Sequence, residues 1–250
     1  MLIPLIVTAC SASDPTSQGA SCTGPKTYAP GSTVTGATAG GNCMGPDGSL
    51  GQLYSMTVAQ QTNIQLTLAA TGFPGYLGLY TSSGDVITAN NTDLKFKAFV
   101  PPGTYQIFVN SVTGQDGTFT LTSPSVGLDG CSNSAGNTAP ADLGFTVIGA
   151  SLDGTVTALD CGNSLSKTDI YALRLKAGAV LTVSITVDRV SGLSVNMGKG
   201  PVLASKEMPA GGTWTSTVTA PATGEYLVHV ESRTVNGSSN LPVVYSVLLR

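Results

Sequence analysis

The sequence predicts an all-β protein built as two tandem antiparallel β-sandwiches of the jelly-roll kind, and three observations carry that expectation. Apolar and polar residues alternate in short runs, which puts one face of each strand inward. Gly, Pro and Asn separate the runs as turn formers, and no segment shows a helical apolar period. The third observation is a repeat. Tyr54, Met56 and Val58 followed by Ile64, Leu66 and Leu68 return with unchanged spacing as Tyr171, Leu173 and Leu175 followed by Leu181, Val183 and Ile185.

The two copies share more than these strands. Each has a cysteine 10 or 11 residues before its tyrosine, Cys43 and Cys161. Each then has a turn and strand, Pro102-Gly103-Thr104-Tyr105-Gln106-Ile107-Phe108-Val109 in the first and Thr223-Gly224-Glu225-Tyr226-Leu227-Val228-His229-Val230 in the second. Final strands follow at Thr118–Leu121 and Val244–Val247. Pro and Gly between 123 and 130 break the ladder and place the boundary between a first unit at 22–124 and a second at 125–250, each with its own core.

Only 10% of the 250 residues are charged, against about 25% in an average globular protein, and Gly, Ser, Thr and Asn fill the polar positions as they do on extracellular surfaces. The net charge is −3 and no Lys/Arg run exists, which sets nucleic acid aside as a partner. The start, Met-Leu-Ile-Pro-Leu-Ile-Val-Thr-Ala-Cys, resembles a bacterial lipobox, with Val7, Thr8 and Ala9 before the cysteine. The resemblance implies that residues 1–9 are a signal segment, shortened by a start codon assigned too late, and that Cys10 is acylated after cleavage. The alternative is an apolar strand. No other segment approaches the roughly 18 apolar residues of a membrane helix, so attachment falls to Cys10. Residues 10–21 read as a flexible tether.

With Cys10 acylated, Cys22, Cys43, Cys131 and Cys161 form an even set suited to an oxidising compartment. Three pairings are open. The repeat favours Cys22 with Cys43 and Cys131 with Cys161, worth about 3 to 4 kcal/mol each on the loop-entropy account. No CxxC spacing supports a metal centre.

Phe73-Pro74-Gly75-Tyr76-Leu77-Gly78-Leu79-Tyr80-Thr81-Ser82-Ser83-Gly84-Asp85, with Pro102-Gly103-Thr104-Tyr105-Gln106-Ile107 further on, resembles the bacterial pre-peptidase C-terminal domain. That family is a β-sandwich appended to secreted peptidases. The resemblance implies a non-catalytic role in localisation or in binding polymeric substrates. The second copy keeps Tyr171, Ala177-Gly178 and Gly224-Glu225-Tyr226 but departs at Leu193, Val195, Met197 and Gly198-Lys199-Gly200-Pro201.

Catalytic material is sparse. His229 is the single histidine, and its strand alternation places it on the solvated face. No Gly-x-Ser-x-Gly elbow exists. Asp153, Asp160 and Asp169 are the acids that could act as a glycosidase pair or, with Asn163, hold calcium; turn stabilisation is the ordinary role for such residues. Tyr76, Tyr80 and Trp214 are the aromatics that could stack on a carbohydrate or peptide; which face of the Tyr76–Tyr80 strand is buried is open, and core packing is the favoured role for that pair, whereas for Trp214 the two roles balance. The expected protein is a non-catalytic, lipid-anchored envelope module that binds polysaccharide or a surface protein or acts as a spacer, without a cofactor. A hydrolase or hydrolase accessory of the envelope is the alternative.

Overall fold

A computed structural model describes residues 24–40, 43–92, 94–123, 144–149, 151–157, 160–162, 166–198, 200–234 and 240–250. Cys10, Cys22, Cys131, Asn163, the tether and the proposed boundary at 124/125 lie outside the described residues.

Every regular element among the described residues is a strand. The first ten are β1 (Lys26–Tyr28), β2 (Thr33–Ala37), β3 (Cys43–Met44), β4 (Leu50–Val58), β5 (Thr62–Thr71), β6 (Gly75–Thr81), β7 (Val86–Asn90), β8 (Lys95–Val100), β9 (Gly103–Ser111) and β10 (Thr118–Thr122). The second ten are β11 (Gly144–Phe145), β12 (Ser151–Val156), β13 (Cys161–Gly162), β14 (Lys167–Leu175), β15 (Val180–Val187), β16 (Ser191–Asn196), β17 (Val202–Met208), β18 (Gly212–Thr219), β19 (Gly224–Ser232) and β20 (Val243–Leu249).

The repeat seen in the sequence recurs strand for strand. One sheet of the first half runs β1-β4-β9-β6-β7 with β3 on β4, and its counterpart runs β11-β14-β19-β16-β17 with β13 on β14. The second sheets run β8-β5-β10-β2 and β18-β15-β20-β12. Alternation explains their burial: Tyr54, Met56 and Val58 on β4 and Tyr171, Leu173 and Leu175 on β14 all face a core. Cys43 and the backbone of Cys161 occupy equivalent positions, on β3 and β13. Cys43 is a half-cystine, and no second cysteine side chain is among the described residues.

Each half has its own principal core cluster, and a short stretch of parallel pairing joins the two sandwiches. β11 pairs in parallel with β14 on one side and with β8 on the other, so the second sheet of the first half and the first sheet of the second half form one ten-stranded sheet. β1 is likewise parallel to β4. These two- and three-residue strands are too short to show periodicity.

Strand β8 reveals how the layers stack. Phe96, Ala98 and Val100 enter the first core, whereas Phe99, pointing to the opposite face, enters the second and meets Tyr171 at 5.7 Å between ring centroids. The two outer sheets therefore cover opposite faces of the shared sheet, leaving a step on each side where one sandwich ends and the next begins. Gln61 clamps one step, donating through Nε2 to the Asp153 carbonyl at 2.6 Å and accepting from the Asp153 amide at 3.1 Å.

Gly144 makes the junction possible. Its φ is +82°, and a Cβ there would lie 2.5 Å from the Lys97 carbonyl carbon and oxygen. Gly144→Ala is expected to cost about 1 to 3 kcal/mol through backbone strain alone, with more from the collision. Gly178→Ala, at φ +80° with nothing within 4 Å, should lower the urea midpoint less. Equal losses would remove the special role of Gly144.

Candidate functional site

One step encloses a cavity of about 330 Å³, and the three aspartates singled out in the sequence all line it. Asp153 comes from β12, Asp169 and Tyr171 share a face of β14 two residues apart, and Tyr245 reaches in from β20. Gln61 and Phe99 close the wall from the first half. Tyr245 crosses over its cross-strand partner Gly154, where a Cβ would fall 2.2 Å from the ring and hydroxyl, so only glycine leaves the tyrosine this path.

At its end the Tyr245 hydroxyl donates to Asp169 Oδ2 at 2.6 Å. Its proton is thereby committed, and at 2.8 Å its oxygen accepts from the Tyr171 hydroxyl. Asp169 is buried, so the pair supplies the hydrogen bonding that a buried carboxylate requires. Burial, then the neighbouring Tyr171 and Asp169 oxygens, push the Tyr245 phenol well above its ordinary range.

Asp160 serves its own loop, accepting from the Thr157 amide. Asp153 is exposed. These acids share a cavity, and among the described residues no group of three His, Cys, Asp or Glu is arranged to hold a metal ion. Asp169 and Asp160 turn oxygens toward Tyr245 and Thr157. What the cavity offers chemically is carboxylate and phenol oxygens beside the Phe99 and Tyr171 rings.

The opposite step holds a second cavity of about 310 Å³, bounded by Asp85, Val86 and Ile87 on one side and Thr146, Leu173 and Arg174 on the other. The Arg174 guanidinium lies 5.2 Å from the centre of the Phe145 ring.

The three aromatics weighed as stacking platforms are placed as follows. Leu77 and Leu79 face the main core, but the other face of β6 is also covered. Tyr80 is only 3% exposed, in a small second core with Leu53 and Phe108, and half-buried Tyr76 bonds it hydroxyl to hydroxyl at 2.6 Å. The reason is the segment from Cys43 to Gly51, whose glycines admit the Phe108 ring: a Cβ at Gly45 would sit 2.5 Å from it. Tyr80 therefore presents no ring face to a ligand. Trp214 is half-buried against the second core and pairs with Ile185 across β15 and β18. His229, expected on a solvated face, is half-buried; burial lowers its pKa, and its Nε2 lies 3.3 Å from Asn196 Nδ2.

Sequence reasoning missed the outward faces of the two second sheets. On the first, cross-strand rows read Thr33-Thr122-Thr67, Thr35-Thr120-Ala69 and Ala37-Thr118-Thr71. On the second, β15 and β18 join hydroxyls in three exposed pairs, Thr182 with Thr217, Ser184 with Thr215 and Thr186 with Thr213, at 2.9 to 3.0 Å. Threonine at every second position was the available signal, and it reads equally well as ordinary strand propensity.

No protein family matches the chain, and no curated protein does. Among solved structures it is similar to the pre-peptidase C-terminal domain of collagenase from Bacillus anthracis, at 20% identity over 40% of this chain and 94% of that one, with a TM-score of 0.34. It is also similar to PliG of Aeromonas hydrophila, a periplasmic inhibitor of g-type lysozyme, at 21% identity over 40% and 85% of the two chains, TM-score 0.27. A third is the CBM22-1–CBM22-2 tandem of Xyn10C from Paenibacillus barcinonensis, at 12% identity over 78% and 82%, TM-score 0.22.

The buried phenols set an alkaline limit. Burial raises Tyr28, Tyr54, Tyr105 and Tyr245, Tyr105 to about 12. Below the ordinary value of 10.0 folded and unfolded chains both keep these protons. Above it the unfolded chain releases them first, so stability falls as pH rises past that value. Tyr245→Phe should flatten part of this fall in urea titrations while costing about 1.5 to 3 kcal/mol at neutral pH through the lost bond to Asp169. An unchanged alkaline slope would exclude Tyr245 from the effect.

Proposed function

We propose that this chain is an exported, lipid-anchored surface module of a bacterial envelope that binds or spaces another component and performs no chemistry of its own. The observation that carries the reading is the shared ten-stranded sheet, which joins the sandwiches into one body and turns two threonine-rich sheet faces outward. A binding or spacing module needs rigid, solvent-stable surface, and hydroxyl-covered strands supply it. The tether at 10–21, acylation of Cys10 and the division into units at 22–124 and 125–250 belong to the same proposal. So do the pairs Cys22–Cys43 and Cys131–Cys161, supported by the equivalent places of Cys43 and Cys161 beside β4 and β14.

Cys10→Ala should shift the protein from the membrane fraction to the soluble one; continued membrane association would refute the anchor. Peptide mapping without reduction should find linkages within each unit, and a cross-unit linkage would break the division at 124/125.

A second reading, a hydrolase or hydrolase accessory, is favoured by the meeting of Asp153, Asp160 and Asp169 in one cavity. It predicts turnover of an envelope glycan or peptide that Asp153→Asn abolishes. The surface-module reading predicts no turnover by the intact protein and no effect of that substitution on retention by a polymer.

A further inference from the structure

The geometry points to a neutral, polyhydroxylated polymer, an uncharged polysaccharide, as the partner of the two threonine faces, an inference that rests on the surface-module reading and names its ligand. On the first face the three registered rows of β2, β10 and β5 hold seven threonines and two alanines, and β5 continues outward with Gln65. Alternation fixes their direction, because Val34, Phe119, Leu121 and Leu68 between them pack inward. The topologically equivalent face of the second half repeats the chemistry on β15 and β18.

Charge narrows the partner. Within their strand bounds neither β2, β10 and β5 nor β15, β18 and β20 turns a charged side chain outward; charges stand at the edges, with Lys95 beside Thr67 and Lys97 beside Gln65 on the first face, and Arg250 beside Thr182, Asp188 beside Val244 and Asp153 beside Ser246 on the second. An acidic or basic polymer would find counter-charge at these edges alone and none along the rows. On the three rows of the first face a protein partner would find no aromatic, arginine or large apolar anchor, the kind that carries most protein–protein affinity; on the second face Leu248 beside Ser184, Arg250 beside Thr182 and exposed Val180 lie at the ends of the rows. A neutral sugar polymer asks for what is present: hydroxyls that both donate and accept, and methyl groups against C–H edges.

Periodicity supplies the rest. Outward residues recur about every 6.6 to 6.8 Å along a strand and about every 4.7 to 4.9 Å across strands. Each hydroxyl contact is weak in water, about 0.5 to 1.5 kcal/mol net, so a partner that repeats is needed to sum them. Two such faces on one body add avidity on an insoluble matrix.

The test uses the full chain and suspensions of microcrystalline cellulose and chitin, with a sulfated polysaccharide resin and collagen as the other arms. Variants place a lysine in the centre of one face, Thr120→Lys or Thr215→Lys, or of both. Thr120→Ala and Thr215→Ala serve where a lysine lowers the urea midpoint. Retention on a neutral polymer, weakened by about tenfold or more in each single variant and lost in the double, is the expected result. Equal retention of wild type and double variant overturns the inference, as does retention on collagen or the sulfated resin alone; each leaves the surface-module reading standing. No retention on any matrix, together with no crosslinked partner on intact cells, overturns both.

Discussion

The architecture depends on a two-residue strand. Gly144 and Phe145 pair with Tyr171 and Ala172 on one side, and Phe145 pairs with Ala98 on the other. That double pairing converts two sandwiches into one body. Without it β8 and β14 would each present an open edge, a row of unpaired amides and carbonyls that invites association with other chains. With it, Phe99 can cross into the second core, and the Gln61–Asp153 clamp forms at the step. The requirement falls on Gly144 because the Lys97 carbonyl occupies the space a side chain would need. A conformational constraint at one glycine thus governs the relation of the two halves, and through it both cavities.

Most of the fold was legible because the long strands obey one rule. Where one face of a strand is buried and the other wet, apolar residues fall at every second position, and β4, β5, β14 and β15 followed it without exception at the residues that announced the repeat. Legibility failed where that rule is suspended. In β8, Ala98, Phe99 and Val100 are all buried, because the strand lies between two cores. In β6, Tyr76-Leu77-Gly78-Leu79-Tyr80 is covered on both faces, and nothing in its own pattern distinguishes the principal core from the smaller one under the Cys43–Gly51 segment. The parallel strands β1 and β11 escaped notice for a different reason: two or three residues carry no period.

The candidate site divides along the same line. Asp153, Asp160 and Asp169 were picked out because they cluster around Cys161, and they do meet in one cavity. Their partners could not have been found that way. Tyr245 lies 76 residues from Asp169, and its reach depends on Gly154, a residue that looks like any turn glycine in a row of letters. Once the partners are known, the chemistry changes character. Asp169 accepts a hydrogen bond from a phenol in a buried network whose members order one another, and the arrangement reinforces the core.

The threonine faces follow from a shortage elsewhere. A chain with a tenth of its residues charged must cover wide sheet surfaces with something soluble that still favours the extended backbone. Threonine does both, since its branched β-carbon suits the strand and its hydroxyl keeps the face wet. The exposed pairs between β15 and β18 show a further effect: each hydroxyl is already held by its cross-strand neighbour, which fixes the rotamers before any ligand arrives. An ordered hydroxyl gives up less side-chain entropy on binding than a lysine or glutamate in the same place would. Solubility and strand propensity therefore come from one residue choice on both halves of the molecule, and on the second half the paired hydroxyls add order to the surface.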